Sequence, residues 1–178
     1  MARKAGRGPA VHLTPAQARR IYAYNFRVFD RFVRRVKRLP WRAVRRRRGV
    51  GHESIFDTLV HILNVQEVWL AYIAQGAQEA DLERLFQDRS RHPSNWREFA
   101  AYHRRVRTSL ERYLGRLTPR ELAKPIRVFW MPGEYDVSEG ILQTTFETAH
   151  HLGEIIGVLW QDDLPPPEMT WIMVGRAR

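Results

Sequence analysis

The chain has 178 residues, with 44% hydrophobic and 11% aromatic residues and a formal charge of +11, so it is a globular chain long enough for one domain with a sizeable core, not a disordered one. It has no cysteine, which excludes disulfides, thiolate metal ligands and a cysteine nucleophile. No apolar run approaches the roughly 20 residues that span a bilayer, so no transmembrane helix is expected.

The N-terminal stretch MARKAGRGPAVHL is basic and lacks a signal peptide's apolar core. A single domain over residues 1–178 is expected, cytoplasmic, with residues 1–12 as a flexible basic N-terminus. The first helix then opens at LTPAQARR, with Thr14 as N-cap and Pro15 at the first helical position. Tyr22, Phe26, Phe29, Phe32, Val33 and Val36 recur at helical spacing until Pro40 stops the pattern. A second helix is read from Ser54 to about Gln75, ending at Gly76, with Leu59, Ile62, Leu63, Trp69 and Leu70 as its stripe. A third follows HPSN and runs from Trp96 to Gly115.

Thr118 and Pro119 open a short extra turn. KPIRVFWMPGEYDVSEG reads as a loop or small hairpin around Pro-Gly. A fourth helix starts near Ser138 and reaches about Gln161, and DDLPPPEMTWIMVGRAR follows as an irregular tail. Four amphipathic helices of this length cannot bury their stripes separately. The expected fold is therefore all-α, a four-helix bundle with long interhelix connections.

The arginine-rich run RRVKRLPWRAVRRRR, residues 34–48, joins the first two helices. It reads either as a solvated linker whose Trp41 docks on the bundle, or as a surface for phosphate backbones and stacked bases. Of the seven histidines, His12, His52 and His92 fall at predicted termini or loops, and His103 is placed on the exposed face of the third helix. His61 is different: it sits among apolar residues of the second helix, with Asp57 one turn before it. In FETAHHLGEII, Glu147 and His151 are four residues apart on one helix face, and Gln143 and Glu154 extend that strip. Two donors one turn apart, with a third from a facing helix, chelate a divalent ion and leave room for water or substrate. The competing reading makes Glu147 and His151 a solvated pair and His61 a hydrogen-bonded core histidine.

These segments resemble the DinB/YfiT-like superfamily of four-helix-bundle metalloenzymes. SIFDTLVHILNVQEVWL, with His61 seven residues after Ser54, is similar to that family's second-helix signature. HLGEIIGVLWQDDLPPPEMTW is similar to its fourth-helix His-Arg-Gly-Gln motif, followed by an apolar turn and a proline-rich tail. The resemblance implies a divalent ion, zinc or nickel first, held by three histidines. His61 matches the second-helix ligand and His151 the histidine of the last motif, while the remaining position holds Glu147. Leu152 stands where the family has arginine, and Glu154 where it has glutamine. A carboxylate in place of an imidazole hardens the site and brings manganese or iron into range. His150 rivals His151 as ligand, being three residues after Glu147, but Gly153 aligns with the family's glycine and favours His151.

The implied function is a metal-dependent enzyme: a transferase or isomerase using a low-molecular-weight thiol, or a hydrolase. Glu154 or Asp57 would accept protons or orient a ligand, and rim arginines would hold an anionic substrate. A homodimer is expected from the same resemblance. The alternative is a non-catalytic basic bundle that binds nucleic acid or another polyanion through residues 34–48.

Overall fold

Thr14 and Gln17 close a reciprocal cap at the start of α1 (Pro15–Val36): each side chain accepts from the other's backbone amide, at 3.2 and 2.8 Å. Proline takes the first helical position, where its missing N–H has no intrahelical partner anyway. The computed structural model describes residues 12–49 and 51–175; residues 1–11 of the expected basic N-terminus lie outside the described residues. What it describes is mostly helical.

After Pro40 the chain makes one turn, α2 (Trp41–Val44), and then a tight loop leads into α3 (Ile55–Leu70). Ser54 caps α3 by accepting from the Asp57 amide at 3.2 Å. A π-helical turn, Ala71–Gln75, prolongs α3 to Gly76, whose φ of 63° ends it in the left-handed conformation that glycine adopts without strain. Next come α4 (Glu79–Gln87), α5 (Trp96–Gly115) with Asn95 as its cap, and the single turn α6 (Pro119–Leu122). β1 (Pro125–Ile126) and β2 (Tyr135–Asp136) pair antiparallel as the small hairpin that Pro-Gly predicted. α7 (Val137–Gln161) starts from an Asp136–Glu139 capping box, and α8 (Trp171–Val174) interrupts the tail.

Neither α4 nor α8 is expected from the sequence pattern. α4 buries only Leu82, so its pattern is short and mostly solvated. α8 is held from outside its own sequence: Trp171 packs edge-on to Tyr24, ring centroids 4.9 Å apart, and Arg27 donates to the Val174 carbonyl at 3.2 Å.

α3 packs against α5 and α7, and α1 against the same two helices. Phe29, Phe32, Phe56, Leu59, Leu63, Phe99, Ile155 and Leu159 fill the space between them. Full burial of each such side chain is worth about 1.5–3 kcal/mol. At Gly140 α7 passes close to its neighbours: a Cβ there would meet Ile73 Cγ2 at 2.8 Å and Ile126 Cδ1 at 3.0 Å. No helix among the described residues is long and apolar enough to cross a membrane.

The arginines at the end of the basic run are engaged. Arg45 pairs with Asp57 at 2.5 Å, Arg47 with Glu53 at 2.5 Å, and Arg46 and Arg48 with Asp162 at 3.2 and 2.5 Å. The hydrogen bond from Arg48 holds the Asp162 carboxyl below its ordinary pKa. Trp41 packs edge-on to Phe56 and Trp96, at 5.0 and 5.9 Å between centroids. These contacts tie the link to α3, α5 and the end of α7.

His103 departs from expectation. Its ring packs edge-on to Phe29 at 5.1 Å, and its side chain is 16% exposed, so it faces α1 and not solvent. The flanking arginines made the segment look solvated, although position 103 lies on the same helix face as Phe99 and Val106.

Candidate metal centre

Three imidazoles converge where α3, α7 and the loop before α3 meet. His61 projects from the second turn of α3 and His151 from the middle of α7, with ring centroids 4.5 Å apart at 81°. His52, from the loop, stacks on His61 at 3.5 Å and 20°, and meets His151 edge-on at 5.2 Å. One ring nitrogen from each of the three lies within 4.8 Å of the others.

Backbone geometry explains how the loop delivers His52. Gly49, Gly51 and Glu53 have φ of 67°, 55° and 68°, three left-handed positions within five residues. Gly51 is also where the loop runs over Glu154: a Cβ would lie 2.7 Å from Glu154 Oε2. The Arg48 amide donates to the Glu53 carbonyl at 2.8 Å and closes the turn. Ser54 then begins α3, so His52 is fixed two residues before a helix cap.

Carboxylates complete the surroundings. Glu154 Oε2 lies 2.9 Å from His151 Nδ1. A carboxylate only accepts, so the contact suits the tautomer with its proton on Nδ1, which in the neutral ring leaves the Nε2 lone pair free. Glu147 Oε2 stands 3.5 Å from that Nε2, and its Oε1 accepts from the Gln143 amide at 2.7 Å. Burial is the main force on His61 and His52. It pushes His61 down to about 4, with His52 and His151 adding to the effect and Glu154 opposing it. His52 is lowered in the same way, first by burial and then by His151. The neutral imidazole is the form that ligates a cation, and lowering the pKa of His52 and His61 favours it.

Of the residues singled out from sequence, His61, His151, Glu147 and Glu154 come together here. His150 turns outward, its side chain 66% exposed against 9% for His151. Asp57 belongs to the cap of α3, with its Oδ2 accepting from the Ser54 hydroxyl and its Oδ1 pairing with Arg45. His52, whose loop position groups it in sequence with solvated histidines, joins His61 and His151. The signal was present: a histidine beside paired glycines, just before the cap of a helix that carries another inward histidine. A cleft of about 350 Å³ opens next to His61 and Glu147, between α3, α4, α7 and the loop after β1.

Histidines converging from different helices onto one point are how all-α proteins build metal sites, and the three imidazoles with nearby carboxylates are compatible with a divalent ion. Residues 27–155, from within α1 to near the end of α7, match the family model described as DinB superfamily, and the chain belongs to that superfamily. No curated protein matches the chain.

Proposed function

We propose that this protein is a divalent-metal-dependent enzyme, with α1, α3, α5 and α7 forming the four-helix bundle of the DinB type. The convergence of His52, His61 and His151 carries this reading. In it the three histidines hold the ion, zinc or nickel first, with manganese and iron as lesser candidates. His52 thus fills the third imidazole position that seemed lost to Glu147. Glu147 stands beside Nε2 of His151, within reach of the ion or of a proton on a group that binds to it. Glu154 fixes the His151 ring and its tautomer through Nδ1.

A divalent ion with an open position acidifies a thiol or water that reaches it, making a nucleophile at neutral pH. Glu147 would take up the released proton, and Gln143 holds that carboxylate in place. The chain has no cysteine, so a thiol nucleophile would come from a small molecule. Elemental analysis of protein purified without chelators, followed by calorimetric titration with zinc, nickel and manganese, tests the reading. The expected result is close to one ion per chain; protein that neither carries nor takes up any of these ions overturns it.

A further inference from the structure

The cleft beside the histidines differs in character from the rest of this arginine-rich surface. Val65, Val68 and Trp69 of α3 form one wall, and Phe86, Trp130 and Met131 form the other side and the mouth. Its polar lining is Asn64, Gln143, His61 and Glu147, and among the described residues no arginine or lysine lines it. The guanidinium of Arg91 stacks on the Phe86 ring at 5.3 Å but is fully buried and paired with Glu67 at 2.7 Å, so it has no charge to give a ligand. Among the described residues, then, the rim arginines expected to grip an anionic substrate do not line this cleft.

Charge points the same way. The carboxyl side chain of Glu147 lines the cleft where a basic residue would be needed to attract an anionic body. The mouth aromatics are ordered yet open to water. Trp130 packs edge-on to Tyr72 at 5.4 Å and to Phe129 at 4.8 Å, while about half of Trp130 and of Phe86 remains exposed (49% and 53%). Apolar surface held open above a pocket gains about 25 cal/mol for each Å² a ligand covers. A volume of about 350 Å³ suits a small molecule with one or two rings or a branched chain of similar bulk.

We infer that this cleft binds the uncharged, apolar body of a small-molecule substrate and presents its reacting head to the histidine cluster. The second half of that statement rests on the metal reading above; the first does not. The test therefore has two arms. In metal-free protein, the neutral fluorophore N-phenyl-1-naphthylamine should bind, about tenfold or more tighter than a naphthalene sulfonate. Trp130→Ala, at the exposed mouth, and Val65→Arg, which places a cation in the wall, should each weaken that binding about tenfold with the far-UV circular dichroism unchanged. In zinc-loaded protein, benzohydroxamate should bind about tenfold tighter than acetohydroxamate by calorimetry. Equal or stronger binding of the sulfonate, or indifference of the neutral probe to both substitutions, overturns the proposal. Loss of zinc uptake with the first arm intact removes the metal reading and leaves the apolar cleft standing.

Discussion

Glu154 and His151, one turn apart on α7, are joined at 2.9 Å between a carboxylate oxygen and Nδ1, on the side of the ring away from Glu147. That arrangement orients the imidazole without using the lone pair of Nε2. Partners of this kind typically contribute about 10–100-fold to metal affinity. Glu154→Ala should therefore weaken zinc binding by about that factor, and Glu154→Gln, whose amide oxygen still accepts from Nδ1, by less. Calorimetry on the two variants decides it; equal affinities for wild type and Glu154→Ala would show that the contact does not support a ligand.

The three imidazoles and their exposed neighbour make a contrast within one protein. His52→Ala, His61→Ala and His151→Ala should each abolish stoichiometric uptake, whereas His150→Ala should bind as wild type does. Glu147→Gln separates two roles: retained binding with lost turnover marks a proton carrier, and lost binding marks a fourth ligand. Metal content by elemental analysis gives the first readout, and a metal-dependent activity the second.

Much of this was legible in the chain because long helices announce themselves. Thr14, Ser54 and Gly76 bound α1 and α3 as read, and the stripe of α7 brought out His151 and Glu147. Apart from α4, whose own pattern is weak, what escaped depended on tertiary contact. His52 is delivered by left-handed backbone at Gly49 and Gly51 and by stacking on His61, neither of which leaves a period in the sequence. α8 exists because Tyr24 and Arg27 of α1 hold it. His103 reads as exposed because charge on its neighbours outweighs its own spacing from Phe99 and Val106.

Gly51 tests whether the loop or the helices set the site. Its φ is 55°, and a Cβ would press to 2.7 Å against Glu154 Oε2. An alanine in left-handed conformation costs about 1–2 kcal/mol before any clash. Gly51→Ala should lower the melting temperature by about 2–8 °C, given about 2–4 °C per kcal/mol for a chain of this size. It should also weaken metal binding by about tenfold or more through the displaced His52 and Glu154, beyond what stability alone predicts. An unchanged affinity would mean that His52 is not held by this turn.

Protonation of buried imidazoles sets a pH dependence. Burial lowers the pKa of His103; Asp30, 3.6 Å away, opposes this, while Arg107 and Arg104 reinforce it. The unfolded chain takes up the proton near pH 6.5, and the folded chain only at lower pH. The stabilising contribution is thus complete above about pH 6.5 and is lost as pH falls toward the folded value. His61, pushed to about 4, and His52 act in the same direction in metal-free protein. Urea midpoints of metal-free protein should fall between pH 7.5 and 5, and His103→Gln should flatten the fall. A midpoint that rises on acidification would contradict the sign.

Arg91 supplies the sharpest test of packing behind the cleft. It is fully buried, with Nε 2.7 Å from Glu67 Oε2, Nη2 donating to the Asn64 carbonyl at 3.3 Å and Nη1 without a partner. Tyr102 closes the group by donating to Asn64 Oδ1 at 2.7 Å. A desolvated pair of this kind contributes little beyond what apolar residues of its size would, but removing one partner leaves the other charge stranded. Glu67→Ala should therefore cost about 3–5 kcal/mol. Glu67→Leu combined with Arg91→Met should recover most of that, because neither charge then remains to be desolvated. Denaturant unfolding of the single and double variants measures the coupling. A Glu67→Ala cost below about 1 kcal/mol, the value of an exposed pair, would mean that water reaches Arg91 and that the wall behind Phe86 is open.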